Sequence, residues 1–310
     1  MVAMSGALAT ATPRTRETFF EFFGATIPNE NTRAAYMRDT MRFFAWCSER
    51  GFDVMAVNAI HLAGYRESLK SEGLEPASIK RHFSALRMLY AWWVEKGVLV
   101  TNPVREVKTE KVSRQEGKTP AFEVEDMQKL FASFDLDSVV GLRDRALIAV
   151  MAYTFARVGA AVALDAEDYY AQGRHTFLRL EEKGGKQRVI PCPHKLEEYL
   201  DAYSEVAGIA GQKGTPLFRS TRARTKQLTS GRMSRTDAYA MIRRRTEDAG
   251  IAGVFGCHSF RATGITTYLS NGGTIERAQF IAGHANVGTT QLYDKRNQRA
   301  TLEELERVRY

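Results

Sequence analysis

Residues 175–193, HTFLRLEEKGGKQRVIPCP, break the pattern of the chain around them. Two apolar runs flank a Gly-Gly turn, which is the signature of a β-hairpin. The surrounding pattern is helical. EVEDMQKLFASFD (123–135) and GLRDRALIAVMAYTF (141–155) precede the hairpin with helical spacing, and helical segments run from HKLEEYLDAYSEVAG (194–208) to the end. Further upstream, TRETFFEFFGATI (15–27), NENTRAAYMRDTMRFFAWCSERG (29–51), AVNAIHLAGYRESLKSEG (56–73) and EPASIKRHFSALRMLYAWWVEKG (75–97) give four more helices, the last capped near Ser78. In the second of these, Met37, Met41 and Phe44 form an apolar stripe that Tyr36, Phe43 and Cys47 widen. The fold class is therefore mainly α: an all-helical first domain, then an α+β domain with a small antiparallel sheet.

At 310 residues the chain is longer than one domain usually is. The best linker is TNPVREVKTEKVSRQEGKTP (101–120), which is rich in charge and turn formers and poor in core material. The boundaries are a tail over 1–13, a helical domain over 14–105, a linker over 106–121 and a second domain over 122–310. With 44 Lys and Arg against 36 Asp and Glu, the formal charge is +8, which favours a polyanionic partner. Cys47, Cys192 and Cys257 are isolated and odd in number, as expected of reduced packing residues. No apolar run approaches the roughly 20 residues of a membrane span. The opening MVAMSGALATAT lacks a basic leader. The expected compartment is the cytoplasm, with no membrane partner. No GxxxxGK[ST] phosphate loop and no internal repeat is present.

Five elements of the second domain carry chemistry, in order: YTFARVGAAVAL with Arg157, EEKGGKQRVIP with Lys183, CHSFRATGITTYL with His258 and Arg261, IAGHANVGTTQLY with His284, and finally Tyr293. Each piece alone has an ordinary reading: an arginine at a helix end, a solvent-facing turn, a chance H-x-x-R, one tyrosine among twelve. Cys257 beside His258 invites a metal, yet adjacent helical residues point apart and no third ligand lies nearby. Their conjunction resembles the catalytic domain of the tyrosine recombinase (phage integrase) family. There these positions are the first arginine, the hairpin lysine, the H-x-x-R pair, the second histidine and the nucleophile. The amino-terminal helices resemble that family's core-binding domain, so the resemblance covers nearly the whole chain beyond about residue 14.

The resemblance implies that Tyr293 attacks a DNA phosphorus, giving a 3′-phosphotyrosyl link and a 5′ hydroxyl. A phenol with a pKa of about 10 needs its proton managed; His258 can take that proton, or hold the relay in line. Arg157 and Arg261 can fork onto the non-bridging oxygens as charge develops there. Lys183 can protonate the leaving oxygen, and His284 adds a hydrogen bond. No metal or other cofactor is expected. The implied partners are double-stranded DNA with a specific recombination site, clamped by the two domains, and a homotetramer on two duplexes. TLEELERVRY (301–310), with its Thr cap, is the candidate helix passed to a neighbour. Accessory proteins are left open, and integration or excision of a mobile element is the expected task.

The sequence departs from the family at Ala160, where members commonly carry an acidic residue three positions after the first arginine. Arg157 must then be oriented by backbone carbonyls or by a carboxylate from elsewhere; Asp165 and Glu167 are near in sequence. Local patterning puts His258 and Arg261 on one face of a first helical turn. It stops the next helix at Gly283, and starts a last one near Thr289 that carries Tyr293. For DNA contact, Lys80, Arg81 and Arg87 lie on one helix, with Ser78 and His82 nearby. Residues 220–250 hold eight more basic residues, of which Arg232, Arg235 and Arg243 are the preferred contacts. Any one of these can equally belong to a solvated face, and the basic linker can track DNA or be an ordinary surface connection. Two rivals share parts of the pattern: a type IB-like topoisomerase, and a DNA-binding accessory protein without activity.

Overall fold

The computed structural model describes residues 12–109, 119–182, 185–222, 225, 227–294 and 306. The chain divides into two compact units, Met1–Ser113 and Arg114–Tyr310.

In the first unit, α1 (Pro13–Glu21) starts on a Thr12 cap and runs into a π-helical turn at Phe22–Thr26. Helices α2 (Glu30–Glu49) and α3 (Ala59–Ser71) begin at Asn29 and Asn58, whose side chains accept the first free backbone N–H groups. Helix α4 (Pro76–Glu95) begins differently from expectation. Its cap is Glu75 rather than Ser78, and Pro76 stands at the first position, where its missing N–H costs nothing. The core between these helices is aromatic: Phe44 stacks on Trp93 at 6.2 Å, and Phe43 meets Tyr65 edge-on at 4.9 Å. The chain after α4 folds back onto this core. Val104 and Val107 are buried, and the Asn102 amide donates to the Arg87 carbonyl. The segment read as linker from residue 106 therefore still belongs to the helical unit at Val107, and the expected tail already ends at Pro13.

The second unit is built around α6 (Val139–Tyr153), buried at every position from Val140 to Ala152. Around it stand α5 (Val124–Ala132), α7 (Val158–Ala163), a sheet of β1 (Tyr169–Gln172), β2 (His175–Glu182) and β3 (Lys186–Pro191), and α8 (His194–Val206). The sheet is antiparallel in the order β1-β2-β3, with Leu178 facing Ile190 and Glu182 facing Lys186 across the hairpin. Strands β4 (Arg219–Thr221) and β5 (Leu228–Arg232) form a ribbon where the sequence suggested continuous helix. Their three and five residues are too short and polar to show strand alternation. Then come α9 (Arg235–Asp248), α10 (Cys257–Ser270), α11 (Ile275–Ala282) and α12 (Val287–Gln291). Gly264 lets α10 lie close to the end of α6, since a Cβ there would meet the Ala152 carbonyl oxygen at 2.0 Å and the Phe155 ring at 2.7 Å.

An apolar helix in the middle of a unit carries one charged knot. Asp144 is fully buried on α6 and accepts from Arg143 Nη2 at 2.5 Å and Arg245 Nε at 2.9 Å, while Arg244 stands 3.6 Å away. Arg143 also donates to the Arg219 carbonyl at 2.8 Å, fixing the start of the ribbon. Removing one partner of such a buried pair strands the other charge. Asp144→Ala is thus expected to cost the second unit about 3–5 kcal/mol, seen as a lower denaturant midpoint; an unchanged midpoint would show the knot to be dispensable.

Candidate active site

The loop after α6 sets the first site residue. Phe155 takes φ +53°, the only positive-φ residue other than glycine among the described residues, and such strain is held only where surroundings enforce it. The turn brings Arg157 out as the N-cap of α7. Arg157 Nη1 donates to Glu182 Oε2 at 2.6 Å. The carboxylate that Arg157 meets thus stands at the end of β2. Asp165 pairs instead with Arg232 at 2.5 Å, and Glu167 accepts from the Gly214 backbone at 3.4 Å.

His258 and Arg261 lie in the first turn of α10. Arg261 has no exposed surface and donates to the carbonyl oxygens of Phe155 and, at 2.6 Å, Ala282. Burial, then the nearby Arg157 guanidinium, bring it down from 12.5 to about 10, so it stays charged at neutral pH. Helix α11 ends at Gly283, whose φ of +60° gives a left-handed stop. A Cβ there would also sit 3.1 Å from Arg188 Nε. His284 follows, with Nδ1 hydrogen-bonded to Thr290 Oγ1 at 2.9 Å.

Tyr293 does not ride on α12. Asn286, rather than Thr289, caps α12, which ends at Gln291 and leaves Tyr293 in the following turn. Its N–H donates to the Thr290 carbonyl at 3.0 Å, and Thr266 Oγ1 donates to its carbonyl at 3.3 Å. The phenol oxygen lies 2.9 Å from His258 Nε2, and the ring stacks on His284 with centroids 6.1 Å apart. Burial, then the charges of Arg261 and Arg157, hold His258 below its ordinary 6.5. The same causes push His284 to about 4. Both rings are neutral at pH 7, and a neutral imidazole beside a phenol is equipped to take its proton.

Arg157, His258, Arg261, His284 and Tyr293 thus gather in one place, while Lys183 lies outside the described residues. Residues 121–299 match the family model described as the phage integrase family, and residues 27–97 match the phage integrase N-terminal SAM-like domain. The chain belongs to the phage integrase family of tyrosine recombinases. It is 30% identical over 275 residues to the tyrosine recombinase XerD of Mycobacterium leprae (strain TN), spanning 85% of this chain and 86% of that one. The XerD of Listeria monocytogenes serovar 1/2a is 26% identical over 265 residues, 85% of this chain and 87% of that one. The fold is similar to that of a lambda integrase(75-356) dimer bound to a COC′ core site, with TM-score 0.71, 17% identity and coverage of 93% and 97%. The chain is thereby a tyrosine-type site-specific DNA recombinase.

The basic residues singled out for DNA in this recombinase have unequal freedom. On α4, Lys80 is exposed, Arg81 forks onto Asp39 at 2.7 and 3.0 Å, and Arg87 reaches the Val107 carbonyl at 3.3 Å. His82 is a core residue, 2% exposed, bonded to Tyr65 Oη and facing Asp39. In the second unit, Arg232 is spent on the Val162 and Leu164 carbonyls and on Asp165. Arg235 is exposed and lies over Gly159, and Arg243 is half-buried. Sequence reasoning missed Glu182, Arg188 and Thr290. For Glu182 a signal existed: in β2 the buried positions are Leu178, Leu180 and Glu182, so an acid stands at an inward place of the two-residue alternation.

The depressed histidines link stability to pH. His284 binds its proton below about 4 when folded and near its ordinary 6.5 when unfolded. Between these values the unfolded chain holds more protons, so folding stability is full above 6.5 and is lost as pH falls towards 4. The denaturant midpoint of the second unit should therefore drop more steeply over this window in the native chain than in His284→Gln; equal slopes would contradict the assignment.

Proposed function

We propose that this recombinase cuts and rejoins duplex DNA through a 3′-phosphotyrosyl intermediate on Tyr293. The observation that carries the reading is the 2.9 Å hydrogen bond between Tyr293 Oη and His258 Nε2, two site residues from different elements. Tyr293 Oη bonds to the phosphorus and its proton passes to neutral His258. The bond from phosphorus to the 5′ oxygen breaks, and that oxygen takes a proton from Lys183. Arg157 and Arg261 meet the charge on the non-bridging oxygens, Arg261 with a buried Nε that has no hydrogen-bond partner among the described residues. His284 adds a hydrogen bond. The 5′ hydroxyl of a partner duplex then attacks the phosphotyrosyl link, and the proton returns to the phenol.

Lys80, Arg81, Arg87, Arg235 and Arg243 are proposed phosphate contacts that position the duplex rather than read it. Arg232 is withdrawn from that set by its three internal partners. The assembly proposed is a homotetramer on two duplexes, joined through the carboxyl-terminal segment. Supporting this, a cavity of about 1100 Å³ opens on the second unit, lined by Met127, Phe131, Tyr268, Phe280 and Ile281, with Lys195 and Arg277 also lining it. The terminal sequence offers Leu302, Leu305 and Val308 at helical spacing, with Glu303 and Glu304 between them. The task proposed is integration or excision of a mobile element.

Covalent trapping on duplexes randomised around a central nick tests the chemistry. The native chain is expected to form an adduct mapping to Tyr293, and Tyr293→Phe none; DNA binding without any adduct would replace the reading with an accessory role. Relaxation of plasmids lacking any captured site would indicate a topoisomerase instead. Sequencing the captured site in genomic DNA shows whether it flanks an excisable segment. Truncation after Ala300 should leave duplex binding unchanged but reduce two-duplex complexes; normal complexes would refute the terminal exchange.

A further inference from the structure

Glu182 is a buried acid at the inward end of a strand, and its two oxygens serve two different arginines. Oε2 accepts from Arg157 Nη1 at 2.6 Å and Oε1 from Arg188 Nη2 at 2.5 Å. A carboxylate in that place is costly unless both oxygens are met by charged donors, and here they are. Arg188, on β3, donates through Nη1 to the Ile281 carbonyl, one residue from the Ala282 carbonyl that holds Arg261. A continuous chain of contacts therefore runs from Arg157 through Glu182 and Arg188 to the end of α11 and back to Arg261.

Helix α7 itself supplies no acid. Its residues are Val158–Ala163, and the position three after Arg157 is the buried Ala160. Among the described residues, Glu182 is the one carboxylate that meets both Arg157 and Arg188, and it offsets the repulsion among the arginines: it raises the Arg261 pKa that Arg157 lowers. Glu182 is also the residue directly before Lys183 in the chain.

We infer that Glu182 is the positioning residue for Arg157, replacing from the hairpin an acid that α7 lacks, so that the arginine and the hairpin strand preceding Lys183 are set together. This rests on the proposed role of Arg157 at the scissile phosphate. Glu182 touches no reacting atom; it acts through the guanidinium.

The full chain, on the nicked duplex captured by trapping, tests this with three readouts: single-turnover rate of Tyr293 adduct formation, duplex Kd and thermal midpoint. Glu182→Gln keeps the shape and removes the charge. Its adduct rate should fall roughly 10- to 100-fold, the order lost when a reacting group is misplaced by about an ångström, with Kd changed by less than about threefold. Glu182→Asp, which keeps the charge, should recover part of the rate, and Ala160→Glu added to Glu182→Gln should recover more than Glu182→Gln alone. A native rate in Glu182→Gln overturns the inference, as does a loss shared equally by rate, Kd and thermal midpoint that Glu182→Asp fails to rescue. Arg157→Ala separates the two levels. If it is inactive while Glu182→Gln is native, only the inference falls; if it cleaves at the native rate, the reading of the site falls and takes the inference with it.

Discussion

The Arg261 guanidinium, with no exposed surface, joins the loop after α6 to the end of α11 by donating to the carbonyls of Phe155 and Ala282. A buried charge is tolerated only while its donors are met, so those two carbonyls cannot drift apart. Both stand near the carboxyl end of a helix, where the peptide dipoles favour a cation. The local oddities of the second unit serve this one clasp. Gly264 removes the side chain that would push α10 off α6, Phe155 adopts a left-handed backbone, and Gly283 turns the chain where Arg188 packs. His284 and Tyr293 then inherit their positions from a frame that Arg261 has already closed.

Much of this frame was legible in the sequence, because it rests on periodicity and punctuation. The hairpin at 175–193, the helix carrying His258 and Arg261, and the stop at Gly283 all follow from local pattern. What was not legible depends on partners distant in the chain. Glu182 lies 25 residues from Arg157 and Asp144 lies 101 from Arg245, and no spacing rule connects them. Short elements failed for a different reason. The ribbon β4–β5 and strand β1 have three to five residues each, too few for alternation to rise above chance. The end of α12 was misplaced because Asn286 caps earlier than Thr289, and the polar run to Tyr293 carries no stop signal.

Charge was the least transferable reading. A surplus of eight positive charges describes the whole chain, not a surface. Of the dense basic run after residue 220, Arg232 is consumed by backbone carbonyls and Asp165, and Arg245 by the buried Asp144. His82, beside three basic candidates on α4, turned inward to Tyr65 and Asp39 because its helical position is apolar in pattern. Local composition cannot separate an arginine that holds the fold from one that holds a ligand; the acid or carbonyl it meets decides, and that acid is set by tertiary packing.

The turn that carries Tyr293 has a consequence for counting. The phenol reaches His258 of its own chain, anchored by Thr266 and Thr290 of the same unit. Among the described residues, the phenol, both histidines and the two arginines of the candidate site thus come from one chain. On the proposed chemistry, mixing a subunit without the phenol with one without an arginine would count the chains a site needs: restored cleavage would mean two, and none would mean one.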